Sequence, residues 1–483
     1  MANLKQKMNI SVETMSAIFV IVFVALFILV NLFYGFVWPL YLLAMILAFG
    51  ISVKFPRSGL FAIVFLTMIF ERFFTLQTFF IGKVEYKIYP LDILTAGIIF
   101  GIIAQCIFGA AKKLRLQKID YVLLAFIFLN VVYFFTSAFV FSGDRTLAFS
   151  TLKNYGFYSL FYFITLFLIR DKNDFWRLGK FFLAGAIGII IFIIIGVLRG
   201  EGLWSEFTPI STSGVRLLAF THGLYLSLAI IPVLLILVFK DHIPRKSVYV
   251  KILILIWTFG IIATLMRHLW IALALAAFLA YFLLPKEKKA EFRKIIWNYS
   301  AILFVILIIL FYCVTLSPHS KLNDRAQNLL GVVAERTESL GSIGSDESYY
   351  WRTLVWKSAY ENFKRDPFFG IGTGQRVYVE NGKVYKDFVE VRNIHNSYLA
   401  ILIQFGFLGL AVFACFIYKI WRKLLSVYRK NKNNFSALSI LSVLTVYIIA
   451  MFFQPYLETN LLAIFFWIAL GLARNIAYEN TRN

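Results

Sequence analysis

Repeated apolar runs dominate this amino-acid sequence and restrict it to a membrane fold. Each run has about 17 to 22 residues, which is enough for a helix to cross a bilayer core about 30 Å thick. The chain of 483 residues is 60% hydrophobic and only 15% charged, whereas soluble proteins have about 25% charged residues. The sequence therefore excludes a soluble globular protein. It predicts an all-α, polytopic transmembrane helical bundle with about 12 to 14 spans.

Fourteen spans are predicted, with both ends of the chain on the cytoplasmic side. The run 252–284 has Lys-rich flanks on both sides, so both its ends are expected in the cytoplasm and the run must turn back within the membrane. We therefore expect two shortened helices that meet at Arg267 and His268, below the outer surface. The predicted spans are 15–33, 36–53, 58–70, 91–111, 119–141, 146–169, 181–198, 217–239, 252–266, 268–284, 295–316, 395–418, 436–453 and 460–473.

The net charge of +23 would suit a nucleic-acid-binding protein, but its distribution argues against one. The basic residues concentrate in alternate loops, which the positive-inside rule assigns to the cytoplasm. The excess of positive charge therefore indicates the orientation of the chain in the membrane and its contact with anionic membrane lipids, and no nucleic-acid partner is expected. Examples of these loops are 112–118, 240–251, 286–294 and 419–432.

One long polar segment between late helices predicts a three-part organisation. Residues 1–316 are expected to form a transmembrane helical domain, residues 317–394 a cap segment on the outer side, and residues 395–483 the C-terminal transmembrane helices. The cap segment is too small for an independent enzyme, so any chemistry is expected to be shared between cap and membrane.

Two helices are predicted in the cap segment. One lies near 325–340, and a stronger one at 349–365 ends before Pro367. The stronger helix has an apolar stripe with a period of four residues, formed by Trp351, Val355, Ala359 and Phe363.

Three arginines stand on the predicted outer face. Arg267 lies within an apolar run, where a charge costs about 2.5 to 3.5 kcal/mol, and this cost marks it as a functional candidate. Arg216 precedes the eighth span, and Arg352 lies in the amphipathic cap helix. The alternatives are a headgroup anchor for Arg267, a loop residue for Arg216 and a solvated helix face for Arg352. Together they suggest a polyanionic ligand such as a diphosphate, which guanidinium groups bind bidentately.

His395 directly follows the cap segment, where an imidazole could act as an acid or base near neutral pH. Its alternative is a capping or structural histidine. Glu458, in the last outer turn, is a second candidate base or an ordinary loop residue. A catalytic pair of His395 with Ser397 is not expected, because positions i and i+2 point to different helix faces. No metal site is predicted, since the sequence has no H-E-x-x-H motif and no cluster of His and carboxylates at ligand spacing.

The Gly-rich stretch Pro367 to Gly374 is not a nucleotide-binding loop. It fits neither G-x-x-x-x-G-K-[ST] nor G-x-G-x-x-G. We expect it to form a tight turn that brings the cap helix back towards the membrane. The alternative is a loop whose backbone N–H groups face an anion.

These motifs, in this order, resemble those of the O-antigen ligase/polymerase family. They are Arg352-Thr-Leu-Val-Trp356, Pro367 to Gly374, His395-Asn-Ser-Tyr-Leu399 and Gly406-Phe-Leu-Gly-Leu410. The resemblance extends from about residue 210 to 412 and is only topological elsewhere.

The resemblance implies a GT-C-like fold and an inverting, metal-independent glycosyltransferase without a cofactor. It also implies a multi-pass protein of the bacterial inner membrane, with the active site facing the periplasm. The donor would be a glycan on undecaprenyl diphosphate, and the acceptor a sugar hydroxyl. The implied catalytic residues are His395, Arg267 and Arg352. The implied diphosphate- or substrate-binding residues are Arg216, Arg267, Arg352, Asn396 and Tyr398.

Three functions remain open from the sequence. A ligase would use the lipid A core as acceptor, and a polymerase a second lipid-linked glycan. The arginine and histidine motifs favour the ligase, whereas the number of predicted spans favours the polymerase. A transporter of lipid-linked glycans is the non-enzymatic alternative, but it would not require arginine and histidine at the base of a cap.

Overall fold

Helices make up most of the described chain. The computed structural model describes residues 11–70, 79–81, 84–86, 89–109, 114–140, 143–199, 217–239, 248–316, 347–381 and 385–479, with the single positions 327, 331 and 334. Within these ranges, seven helices are long and apolar enough to cross a membrane, and five shorter apolar helices accompany them. The predicted all-α polytopic bundle is confirmed.

The chain divides into two compact units, of which the first comprises residues 1–115 and 163–189. Ion pairs in this unit join Glu13 to Arg57 (3.0 Å) and to Arg177 (3.2 Å), and Arg57 to Asp174 (3.4 Å). These pairs tie the N-terminal ends of three helices together. The elements are α1 (Val12–Tyr34), α2 (Trp38–Lys54), α3 (Pro56–Phe70), β1 (Phe79–Ile81), β2 (Val84–Tyr86) and α4 (Pro90–Ile107).

The second unit comprises residues 116–162 and 190–483. Two helices have parts in both units, α7 (Leu160–Leu168) and α8 (Lys172–Arg199). The other helices of the second unit are α5 (Lys118–Phe139), α6 (Arg145–Leu152), α9 (Phe220–Phe239), α10 (Val248–Ala263), α11 (Arg267–Leu283), α12 (Lys286–Leu316), α13 (Glu347–Phe363), α14 (Ser397–Lys430), α15 (Phe435–Ala450) and α16 (Asn460–Glu479). Its strands are β3 (Arg376–Asn381) and β4 (Tyr385–Glu390), which pair antiparallel.

The expected pair of short helices around Arg267 is confirmed. α10 has 16 residues and α11 has 17, and Thr264 to Met266 connect them. Because basic residues flank the run on both sides, the chain has to reverse here, and two shortened helices fit within the available length.

The sixth predicted span was wrong, because 146–169 is not one continuous helix. A π-helical turn, Lys153–Phe157, separates α6 from α7. Side chains of this turn bond to Glu458: Asn154 donates to its backbone carbonyl (2.6 Å) and Tyr155 to its carboxyl group. π turns occur frequently at functional sites, and apolar composition alone does not reveal one.

The stronger cap helix is confirmed as α13, and its stripe forms the core of the cap segment. Val355, Ala359 and Phe363 are buried there against Val377 and Ile403, with Trp351 packed at the edge. The sequence did not predict the hairpin of β3 and β4, which supplies the other side of this core. The predicted helix near 325–340 lies outside the described residues, apart from single positions.

The Gly-rich stretch forms the predicted turn, and it docks on a break in α14. Gly406 has φ +66° inside α14, which interrupts the helix and frees backbone groups. The N–H groups of Ile371 and Gly372 donate to the carbonyls of Ile403 (2.8 Å) and Gln404 (3.1 Å). These N–H groups are therefore occupied by the helix, which argues against the alternative of an anion loop.

Candidate functional site

The turn between α10 and α11 holds Arg267 in a strained segment. Leu265 has φ +56°, a left-handed conformation that costs a non-glycine residue about 1 to 2 kcal/mol. Thr264 stabilises the turn, because its hydroxyl donates to the Ile261 carbonyl (2.6 Å) and accepts from the Met266 N–H (3.3 Å). Arg267 is the first residue of α11, and no side-chain hydrogen bond caps this helix start within the described residues.

Arg216, the third candidate arginine, lies outside the described residues. The residue that follows it, Leu217, donates its N–H to the Ala263 carbonyl (3.2 Å). The described segment after Arg216 thus begins against the C-terminal end of α10.

His395 occupies the junction between the cap segment and α14. Its φ is +56°, and among the described residues only Leu265 is another non-glycine residue with positive φ. Strained backbone of this kind clusters at active sites and ligand clamps. The indole of Trp356 donates to the carbonyl of Ile394 (2.7 Å), which fixes the cap helix to the residue before His395.

Among the described residues, two contact the imidazole ring of His395 and a third acts on it through its charge. Its Nδ1 lies 2.8 Å from the side-chain oxygen of Gln454, and the Trp351 ring meets it edge-on at 5.6 Å between ring centroids. Arg352, half-buried in α13, acts on it electrostatically. Burial lowers the pKa of His395, the hydrogen bond to Gln454 opposes this shift, and the Arg352 charge adds to it. These effects favour a neutral imidazole at neutral pH.

The turn between α15 and α16, residues 451–459, connects this histidine to the Arg267 segment. Tyr456 is fully buried, and its hydroxyl lies 2.7 Å from Nε2 of His268, the residue after Arg267. Burial raises the pKa of Tyr456, and the Arg352 guanidinium opposes that shift. Arg352, His395 and the start of α11 therefore converge on this turn.

Glu458 is not an ordinary loop residue, because it is buried at 7% exposure. Its carboxyl group accepts hydrogen bonds from Ser397 (2.6 Å) and from Tyr155. Burial raises its pKa to about 7, and the two hydroxyl groups limit the rise. The carboxyl group can therefore exchange a proton near neutral pH.

Two residues of the His395 motif have local structural contacts. Asn396 is the N-cap of α14, and its side-chain oxygen accepts from the Leu399 N–H (3.0 Å). The hydroxyl of Tyr398 donates to the Ile448 carbonyl (2.9 Å), and its ring lies 4.4 Å from that of Phe452. Their roles in substrate binding stay predictions. Ser397 bonds to Glu458, which agrees with the expectation that it does not pair with His395.

Sequence reasoning missed Gln454 and Tyr456, although both belong to the outer turn that contains Glu458. The sequence did contain a signal for these residues, because the short turn between two apolar helices carries both a glutamine and a carboxylate. Within the described ranges, no group of three His, Cys, Asp or Glu side chains could hold a metal ion.

The comparison with protein families gives a match for part of the chain. Residues 252–414 match the O-antigen ligase family. This match covers about a third of the chain. The matched residues include most of α10, all of α11, the cap segment, His395 and the break in α14, so the resemblance of the motifs is confirmed. Curated proteins give no match to the chain.

The match to the O-antigen ligase family, together with the apolar helices, favours a multi-pass membrane enzyme of the glycosyltransferase kind, with a reaction of ligase or polymerase type. It favours the enzyme over the transporter. The turn 451–459, with Gln454, Tyr456 and Glu458, lies outside the matched residues.

Proposed function

We propose that the protein is an O-antigen ligase that moves a glycan from undecaprenyl diphosphate to a sugar hydroxyl of lipid A core. The reaction takes place at the periplasmic face of the bacterial inner membrane. The observation that carries this proposal is the arrangement at the base of the cap segment. There the strained His395 is subject to the charge of Arg352, and the turn 451–459 links it to the start of α11 through Gln454 and Tyr456.

The start of α11 supports a diphosphate site. A helix N-terminus carries partial positive charge and free N–H groups, which favour phosphate binding. Arg267 adds a guanidinium at that end, and no side chain of the described residues caps it. Arg352 approaches from α13, so two guanidinium groups can neutralise a leaving diphosphate without a metal ion.

The position of His395 supports activation of the acceptor. In the proposed step, the acceptor oxygen attacks the anomeric carbon and the bond from that carbon to the diphosphate oxygen breaks. The electron pair leaves with the diphosphate, and the hydroxyl proton moves to His395. A positioned base contributes about 10² to 10⁴ in rate. Each donor aimed at the developing negative charge contributes about 10² to 10³.

The test separates ligase from polymerase by the size of the products. Purified protein in lipid nanodiscs receives lipid-linked repeat units of defined length, with and without lipid A core. Transfer onto core, with no lengthening of the lipid-linked pool, supports the ligase. A ladder of longer lipid-linked glycans formed without core would refute it and assign the protein as a polymerase.

A further inference from the structure

The turn 451–459 places three buried polar side chains against two segments around the proposed site, the start of α14 and the start of α11. Gln454 bonds to His395 at 2.8 Å, Tyr456 to His268 at 2.7 Å, and Glu458 to Ser397 at 2.6 Å. Burying polar groups is costly unless each finds a hydrogen-bond partner, so this set of pairings defines one position for the turn.

Ser397 clamps this turn to the start of α14. Its backbone N–H donates to the Met451 carbonyl (2.9 Å), and its hydroxyl accepts from the Leu457 N–H (3.3 Å) while donating to Glu458 (2.6 Å). The clamp binds the turn on both sides of Gln454. The side chain of Gln454 is therefore held at a fixed distance from the nearby His395.

The contact with Gln454 determines the tautomer of His395. A neutral imidazole carries one N–H, and the amide oxygen of Gln454 can only accept a hydrogen bond. Nδ1 is therefore protonated, and Nε2 keeps its lone pair. The hydrogen bond made by one ring nitrogen sets the role of the other.

We propose that Gln454 is a positioning residue that holds His395 as the Nδ1–H tautomer, so that Nε2 takes the proton of the acceptor hydroxyl. The inference rests on the proposed function and specifies the basic atom. During transfer the proton moves from the hydroxyl to Nε2 as the new glycosidic bond forms and the diphosphate departs. Gln454 remains uncharged throughout and supplies orientation alone.

The other charged and titratable groups near His395 also affect its pKa, so they have to stay constant when Gln454 is changed. Arg352 of α13 acts on the ring through its charge, and Glu458 belongs to the same turn as Gln454 but is bonded to Ser397. On α11, Arg267 and His268 lie beyond Tyr456. Gln454→Glu would add a carboxylate next to Nδ1 without altering these groups. An opposite charge this close raises a histidine pKa by about one to three units.

The first experiment measures kcat/KM against pH for the full-length protein in nanodiscs. Transfer is expected to fall at acid pH as His395 becomes protonated. In Gln454→Glu this acid limb should move to higher pH by at least about one unit. In Gln454→Leu, kcat should fall at least about 10-fold, within the roughly 10⁴-fold loss that a wrong histidine tautomer can cause.

The matched control is Gln404→Leu, which removes another buried glutamine of the same unit, bonded to the Ala400 carbonyl at 3.1 Å. The acid limb of the kcat/KM profile of Gln404→Leu should stay at the wild-type pH, even if the variant transfers glycan more slowly. An acid limb that does not move in Gln454→Glu, with transfer still measurable, would overturn the role of Gln454 and leave the proposed function intact.

The second experiment reads the tautomer without any turnover. Full-length protein labelled with ¹⁵N-histidine contains five histidines, and the His395→Gln spectrum assigns the signals of His395. Wild type should show a protonated Nδ1, and Gln454→Leu should lose that preference. A protonated Nε2 in wild type would overturn the inference. If the expected tautomer appears but no glycan is transferred to either acceptor, the proposed function fails and the role of Nε2 as the base fails with it, whereas the assignment of the tautomer to Gln454 stands.

Discussion

Glu458→Gln should remove a pH dependence of stability that the wild-type protein has near neutral pH. The carboxyl group of Glu458 is buried with Tyr155 and Ser397, and its pKa in the folded protein is about 7. In an unfolded chain a glutamate has a pKa of about 4.3. Between these values the folded state binds more protons than the unfolded state, so stability falls as the pH rises.

The size of this effect follows from the two pKa values. One pKa unit corresponds to about 1.4 kcal/mol, so the full shift from about 4.3 to about 7 amounts to roughly 4 kcal/mol. This stability is fully present below about pH 4.3 and is lost as the pH rises through about 7. The neutral amide of Gln keeps the shape of the side chain and does not titrate.

The assay is thermal unfolding of the purified protein in nanodiscs between pH 5 and pH 8. In domains of 150 to 250 residues, 1 kcal/mol moves Tm by about 2 to 4 °C, so a fall of a few degrees is expected in wild type. Glu458→Gln should flatten this interval. The control is Glu380→Gln, which changes an exposed carboxylate paired with Lys386 (3.1 Å). The reasoning is refuted if Glu458→Gln retains the wild-type slope.

Three further predictions concern the proposed chemistry and the fold that supports it. Arg352→Ala or Arg267→Ala should lower transfer by at least about 10²-fold, and Lys should rescue poorly because it lacks the guanidinium fork. The control is Arg365→Ala, which replaces an exposed arginine just after α13 and should retain wild-type transfer. Equal losses of transfer in the three alanine variants would contradict a specific role for Arg267 and Arg352. Transfer should survive exhaustive EDTA treatment; loss that Mg²⁺ or Mn²⁺ restores would contradict the arginine-only site. Gly406→Ala should lower Tm for two reasons. The added Cβ would clash with the backbone of Phe368, and Gly406 has a φ of +66°, which is unfavourable for alanine. Gly50→Ala, in an open helical position, should leave Tm unchanged or raise it.

Hydropathy and charge were sufficient to predict most of the helices. The reversal at Arg267 followed from basic residues on both sides of one apolar run, and the structure confirms it. The period-four stripe of the cap helix likewise predicted which face of α13 is buried. Both inferences use local patterns that a single stretch of sequence contains.

The missed elements depend on contacts between distant residues. The π turn at Lys153–Phe157 accompanies bonds to Glu458, about three hundred residues further along the chain. The hairpin of β3 and β4 alternates over only six residues per strand, and it completes a core with α13. Neither leaves a periodic signal long enough to predict.

The residues of the candidate site likewise divide into those that local sequence predicts and those that depend on distant contacts. Arg267, Arg352 and His395 were found because each is a polar group at an unusual place in the sequence. The contact of Gln454 with His395 joins residues 59 positions apart, and no spacing rule connects them. Arg216 lies outside the described residues, so its role stays a prediction.

Single-turnover transfer by His395→Ala tests the central claim most directly. The variant is loaded with lipid-diphosphate-linked glycan and mixed with lipid A core, and product is followed in time. The account predicts a rate at least about 10²-fold below wild type. Donor binding should remain near wild type, since the arginines proposed to hold the diphosphate are intact. A wild-type rate of transfer in His395→Ala would contradict the assignment of this site as the centre of glycan transfer.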